Sequence, residues 1–508
     1  MDGADSGRGG GPSKDSETLL RGAAVSGVGR AFATVVSFVT SVLMTRTLGA
    51  ELFGVFAIAN RLAGVGSTAA RLGQHDAIIH FLPKYHLDDL PRARGVFLIS
   101  VLLTATVSSG IAVIVFVAAV PIADRFFGDA ESLSPVIRVL ALGIPFTVLG
   151  ALLTAVLRSL KAIRALEWVR SVTVPVGRLL FCVLLFALGY GVLGLAWAIN
   201  ISLLLGFVVA LYSIHKSSHL LARGIDVVVE TRAVFDFSFP VLLMGLVTYS
   251  YSNADIFFLG RFADTRDVGI YALALRILNV LQAPITAFHS MYVPLASELH
   301  GSGNLARLDQ ALKSTARWVV TSTLPLYLLT VLLARPVLSL FGPEFVDGAA
   351  VLTLLGSIAV TNAFAVLAGY AVFMSGRSWL ILGNAVLLLV LSVALYWLLI
   401  PRFGSLGAGV GRAAAFAGFA GLTLGEAYLM LGIHPFHRGL FKPLAAGLAS
   451  FAICYGLLAS RLLPQNLLTS LSIFCLFCVL YLAALLLLGL TEEDERLIGQ
   501  LKSRLGFR

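Results

Sequence analysis

The sequence predicts an all-α polytopic membrane protein of about fourteen transmembrane helices, built as two six-helix lobes in parallel repeat with two C-terminal helices after them. Three observations lead there. The 508 residues are 58% hydrophobic and only 13% charged, a composition that would leave a soluble domain with far too much apolar surface to cover. Apolar runs of about 20 residues, the length that crosses a hydrocarbon core of about 30 Å, recur along the chain. One stretch is also written twice, 215 residues apart: Thr45–Leu62 reads again, without a gap, from Gly260 to Ile277.

Runs bounded by charged or Gly/Pro breaks place the spans near 22–45, 53–72, 95–120, 136–157, 171–189, 192–214, 234–260, 268–293, 316–334, 348–374, 379–400, 404–431, 440–461 and 468–490. Residues 1–20 read as a disordered cytoplasmic tail, 21–215 as the N-lobe, 216–233 as a cytoplasmic linker and 234–431 as the C-lobe. Two further spans occupy 440–490, and 491–508 reads as a cytoplasmic amphipathic tail. No cleavable signal peptide is expected, because residues 1–16 are polar and the first apolar run is already of span length. Pro145, Pro240 and Pro284 lie within spans and should kink them.

The duplication extends past its best-matched stretch. Arg46 falls on Arg261, Gly54 on Gly269, Phe56 on Tyr271 and Arg61 on Arg276. Ser159-Leu160-Lys161 resembles Ser375-Gly376-Arg377, and Gly191-Val192-Leu193-Gly194 resembles Gly404-Ser405-Leu406-Gly407. Six spans is an even number, so both copies enter the membrane from the same side. That makes them parallel repeats about an axis along the membrane normal.

The formal charge of +10 invites a nucleic-acid partner, but its placement argues otherwise. With the N-terminus inside, and with Arg71, Arg138, Lys442 and Arg461 at span ends counted with the loops they adjoin, 23 of the 37 Lys and Arg fall in cytoplasmic segments, 8 in external ones and 6 within spans. This is the positive-inside bias of a plasma or inner membrane protein. The four cysteines all fall inside spans, and Cys475-x-x-Cys478 is embedded in Leu, Phe and Ile, so packing explains them better than metal or redox chemistry. There is no phosphate-cradling G-x-x-x-x-G-K and no H-E-x-x-H. Short external loops leave little room for a catalytic domain. The reading is therefore of a non-enzyme needing neither metal nor cofactor. Gly407, Gly409 and Gly411 open a span, where small residues allow close helix packing.

Charge inside the membrane is the costly feature. An arginine near the bilayer centre costs roughly 2.5–3.5 kcal/mol on insertion scales and usually faces protein or water. Arg61 and Arg276, equivalent under the repeat, lie eight to nine residues past the expected helix starts, about 12 Å deep at 1.5 Å per residue. Both are candidates to hold an anion in a central cavity, with a structural salt bridge as the alternative. Arg30 divides evenly between that role and snorkelling; Arg178 and Arg412 are internal and tie spans together or bind. Asp255 has no acidic counterpart in the first copy, where Thr40 aligns. Two readings stay open for it: an ion pair with Arg276, or a coupling cation held together with Asn253.

These motifs resemble a known family. Leu43-Met44-Thr45-Arg46-Thr47-Leu48-Gly49-Ala50-Glu51-Leu52-Phe53-Gly54 is similar to the opening of the polysaccharide-exporter flippases, in the multidrug/oligosaccharidyl-lipid/polysaccharide superfamily. Asn253 to Arg261, continued by Asp267 to Ala272, resembles the family's segment around spans seven and eight. The similarity covers about residues 18–490, and the acidic-then-basic tail after Thr491 is similar to archaeal members. The resemblance implies a MATE-like fold and a translocator of polyprenyl-linked oligosaccharide, with cavity cations at Arg30, Arg61 and Arg276. It also implies membrane lipids as partners, and glycosyltransferases or a polymerase of the same pathway. A monomer suffices, since both lobes lie in one chain. The alternatives are a cation-coupled multidrug exporter, disfavoured because no acid lies between Arg21 and Arg46, and a lipid II flippase.

Overall fold

The computed structural model describes residues 14–86, 89–218, 220, 227–228, 231–375, 377–460 and 467–489, with side chains from residue 27 onward except at 231, 378 and 467. The tail 491–508, most of the leader and much of the linker therefore lie outside the described residues. The helices are α1 (Lys14–Ala70), α2 (Gln74–Tyr85), α3 (Leu90–Ile122), α4 (Ala130–Leu142), α5 (Ile144–Ser159), α6 (Ile163–Glu167), α7 (Val174–Ala187), α8 (Gly191–Ser217) and α9 (Thr231–Phe262). They continue as α10 (Thr265–Leu281), α11 (Ala283–Gly301), α12 (Leu305–Leu332), α13 (Ala334–Ser339), α14 (Ala349–Met374), α15 (Ser378–Leu431), α16 (Phe441–Ala459) and α17 (Leu467–Leu487). No strand occurs among the described residues.

Among the described residues, ten helical stretches are long and apolar enough to cross a membrane, and eleven when the bent pair α10–α11 counts as one. Two are double length: α1 turns at Gly49 (φ 72, ψ 177) and α15 at Gly404 (φ 53, ψ −131). Dividing those two and adding α12, long enough to cross but carrying Arg317, recovers fourteen segments. The chain is a multi-pass membrane protein. Helix α1 starts at Lys14, inside the stretch read as a tail. Pro145 and Pro284 do not sit mid-helix: each opens a new helix, after breaks at Gly143 and Gln282. Pro240 lies inside α9.

The duplicated glycines share a positive φ. Gly191 (φ 51) and Gly404 (φ 53), matched under the repeat, both sit in the left-handed region where a side chain is strained. The chain parts into two compact units, one holding residues up to Leu48 with Ile58–Tyr249, the other holding Gly49–Ala57 with Ser250 onward. The division falls inside α9, beyond the expected linker.

Unit 1 packs α2, α3, α5 and α8 around Ala77, Ile78, Phe97, Leu152, Val156 and Ile214. The spacing of Gln74, Ala77, Ile78 and Leu82 gives α2 one buried face. It is too short to span and so went unmarked among the spans. Gln74 ties it down: its Nε2 donates to Ser238 Oγ (3.3 Å) and its Oε1 accepts from Ser100 Oγ (2.9 Å). Unit 2 packs α12, α14 and α17 around Leu312, Val319, Ala363, Leu367, Ala371 and Phe477. Lipid is as apolar as these side chains, so close backbone approach must supply the cohesion. Gly407, Gly409 and Gly411 do this on α15: a Cβ on Gly407 would strike the Leu399 carbonyl, and one on Gly411 would crowd the Tyr396 ring. The opposite faces carry the lipid contact, as at Val113, Ile114 and Val117 of α3 and Leu482 and Leu486 of α17. All four cysteines are free.

Candidate functional site

The second limb of α1 starts after Gly49, within unit 2, and belongs to unit 1 from Ile58 on; Arg61 lies twelve positions beyond the turn, about 18 Å along the helix. In unit 2, α10 starts after Asp264, and Arg276 likewise lies twelve positions on. Both helices begin about three residues earlier than the apolar runs suggested, so each guanidinium is deeper than expected. A side chain at that depth does not reach headgroups without crossing several turns of apolar helix.

Arg61 is partly buried. Its carbonyl accepts a hydrogen bond from Tyr249 Oη (2.9 Å), and the same phenol lies beside the Arg61 side chain. Gly64, one turn on, makes room for that ring; a Cβ there would collide with the phenol oxygen. Arg30 is exposed on the first limb of α1. Its neighbour Gly29 packs against the Glu167 carboxylate and Ser171, where a Cβ would approach to 3.1 and 3.2 Å. Ser171 Oγ donates to Glu167 Oε2 (2.7 Å), in a π-helical turn spanning Trp168–Thr173.

In unit 2, the Arg276 guanidinium stands over the Phe53 ring, 5.2 Å from its centroid. Phe53 is 1% exposed and meets Phe345 edge-on at 6.1 Å. A cation over a desolvated ring gains up to about 2 kcal/mol. Just before Phe53 and after it, the start of the second α1 limb crosses the start of α10 at Gly54 and Gly269. A Cβ on Gly54 would strike the Thr265 carbonyl, and one on Gly269 the Ala50 carbonyl. The contact is reciprocal because the two glycines are the same position of the repeat. Glu344 Oε2 accepts from Ala50 N (2.7 Å), capping the limb at its start.

Asp255 is fully buried and forms an ion pair, but with Arg412 and not with Arg276. Tyr271 Oη donates to the same carboxylate (2.7 Å), as does the Ile256 backbone N–H (2.8 Å). Arg412 also donates to the Ser252 carbonyl (3.0 Å) and lies over the Phe416 ring at 5.5 Å. The antiparallel turn at Ala263–Asp264 explains the choice. It sets Asp255 level with Tyr271 and leaves Arg276 a turn or more deeper. Asn253, 6% exposed, sits half a turn from this cluster. The cluster already supplies Asp255 with a cation and two donors, which leaves the carboxylate no free charge to offer a second one.

Arg178, on α7, has a buried Nε that donates to no acceptor. Tyr249, Phe53 and Tyr271 were not singled out from sequence. The polar aromatic run Tyr249-Ser250-Tyr251-Ser252-Asn253 inside an otherwise apolar span was the available signal.

Residues 43–350, more than half of the chain, match the family model described as "Polysaccharide biosynthesis protein". The chain belongs to the polysaccharide biosynthesis protein family. A curated relative of this family member is the "Probable low-salt glycan biosynthesis flippase Agl15" of Haloferax volcanii, 25% identical over 224 residues. That match spans 44% of the chain and about half (47%) of the relative. Among solved structures, "Lipid II flippase MurJ, inward closed conformation" superposes with a TM-score of 0.73 at 12% identity, covering 90% of the chain and 97% of that protein. An inward-facing multidrug-resistance MATE transporter of the MOP superfamily gives 0.66 at 18% identity, covering 79% and 94%. At such identities the likeness shows the fold, which is that of polytopic transporters with this helix arrangement.

Proposed function

We propose that this polysaccharide biosynthesis protein is a flippase that carries a polyprenyl-(di)phosphate-linked oligosaccharide from the cytoplasmic to the external leaflet by alternating access. The observation that carries the reading is the repeat-matched pair Arg61 and Arg276, each twelve positions beyond the helix break that precedes it. The curated relative named as a glycan biosynthesis flippase supports the choice of cargo.

A glycan headgroup with a phosphate cannot cross hydrocarbon alone, because its hydroxyls and charges would lose their water. Guanidinium groups replace that hydration with charge-assisted, often bidentate, hydrogen bonds. The polyprenyl tail has no such need and stays among the acyl chains. Translocation breaks no covalent bond, so Arg61 and Arg276 act as binding groups and no catalytic residue is assigned. Arg30, nearer the expected cytoplasmic end, fits initial capture from the inner leaflet. The termini lie in the cytoplasm, the membrane is the plasma membrane, and a monomer is the working unit, in this reading.

The test is an Arg61→Gln/Arg276→Gln variant in a deletion strain. Lipid-linked sugar should accumulate on the inner leaflet while the variant protein stays at normal abundance in the membrane. Export at the normal rate by that variant defeats the proposal.

A further inference from the structure

We propose that Arg178 is a second guanidinium step for the anionic headgroup within unit 1, an inference that rests on the flippase reading above. The span Ile163–Ala187 carries Arg178 nine residues from its far end, about 14 Å deep by helix rise. It does not face lipid. Leu180, Val183, Leu184 and Leu188, 50–63% exposed, mark the lipid side of α7. Arg178, partly buried, lies on the opposite stripe with the buried Cys182 one turn on, while Gly177, a step round the helix, packs against Ser202 and Leu205 of α8.

A guanidinium in that position needs an acceptor. Its Nε, like that of Arg412, is buried and donates to nothing, but among the described residues Cys182 is the one titratable group beside its charge and no carboxylate pairs with it. The contrast with unit 2 is direct: there the internal Arg412 is held by Asp255, Tyr271 helps hold the carboxylate, and Ser252 accepts from the arginine. Leaving a desolvated cation unpaired costs free energy, so a fold that keeps one is holding it for a ligand absent from the resting protein. The ligand class is an anion with several oxygens, such as a phosphate or diphosphate.

The surroundings agree. The π-helical turn Trp168–Thr173 ends directly before α7; such widened turns collect at functional sites. The Gly29 backbone beside Arg30 packs against Ser171 in that turn. Arg178 lies seven residues beyond Ser171, about 10 Å along the helix. Arg178 thus lies about two helical turns beyond the Ser171 side chain, which with that of Glu167 packs against Gly29, the neighbour of Arg30.

The experiment measures binding of geranylgeranyl diphosphate, with geranylgeraniol as the uncharged control, to the full chain in lipid nanodiscs. Thermal melting is recorded for each protein. The wild type should prefer the diphosphate. Arg178→Gln should bind it about tenfold more weakly or worse, the loss expected for one charged hydrogen bond. Arg178→Lys should keep most of the preference. Melting of Arg178→Gln should be unchanged or higher, because an unpaired charge has been removed. Equal binding by Arg178→Gln and wild type overturns the role of Arg178 and leaves the flippase reading standing. Melting temperatures that fall with binding in both variants also overturn it, since they mark a structural group. A wild type that binds diphosphate and alcohol alike overturns the flippase reading instead.

Discussion

At the scale of single residues, unit 2 distinguishes two kinds of internal arginine. Arg412 is held: Asp255 is 0% exposed and takes its charge, and Tyr271 and the Ile256 amide complete the carboxylate's acceptor sites. Removing one partner leaves the other charged in a dry interior, a change that costs about 3–5 kcal/mol. Asp255→Ala and Arg412→Met should therefore each lower the melting temperature of the detergent-solubilised protein markedly. The double variant, which buries no charge, should recover much of the loss. A double variant as unstable as the sum of the singles would show that the pair does not act as a unit. Arg276, over Phe53, is not part of this cluster, and Arg276→Gln, which gives up the ring contact but strands no buried charge, should lower the melting temperature less than Asp255→Ala or Arg412→Met does. That contrast separates the structural arginine from the one assigned to cargo.

At the scale of elements, much was legible because membrane helices announce themselves by length and hydropathy, and the repeat by its constant offset. The pairs Arg61/Arg276 and Gly191/Gly404 were readable as matched positions, and the glycines take the same left-handed φ. What was not legible depends on packing. Nothing in the runs around Gly49 shows that two helices meet there without a loop; its φ 72, ψ 177 lies in a region open essentially to glycine alone. Helix α2 was hidden because amphipathic segments score poorly as spans. The partner of Asp255 was misjudged because hairpin register, set by the turn at Ala263–Asp264, decides which residues stand level. Gly54 and Gly269 were matched in sequence, yet their mutual contact appears only when the helices cross. Gly54→Ala and Gly269→Ala should each cost about 1–3 kcal/mol, as overpacking against backbone does. Carbonyls cannot rotate aside as a side chain can. The two effects should be less than additive when combined, since the first methyl already parts the helices; thermal melting of the three variants checks this.

At the scale of the whole molecule, the proposed reading commits to a source of driving force. Over one full cycle the protein's own charges return to where they began, so only the net charge on the cargo moves across the field. A diphosphate diester carries two negative charges, and an inside-negative potential favours export by about 2.3 kcal/mol per charge per 100 mV, about 4.6 kcal/mol in all. The arginines serve both halves of the cycle. Loaded, they neutralise the headgroup; empty, their positive charge is drawn toward the inside-negative face, which favours return. An acidic group able to titrate or bind a cation would be needed for ion coupling. Of the acids within the spans, Asp255 is already paired with Arg412, Asp236 is exposed beside Arg232 at the start of span seven, and Glu426 accepts a hydrogen bond from Asn384. Proteoliposomes bearing the purified chain and a fluorescent polyprenyl-diphosphate-linked sugar should therefore respond to potential more than to a proton gradient. Clamping the potential to zero with potassium and valinomycin should slow outward movement several-fold. Collapsing the pH gradient at constant potential should leave it nearly unchanged, and the reverse pattern would replace potential-driven export with proton coupling.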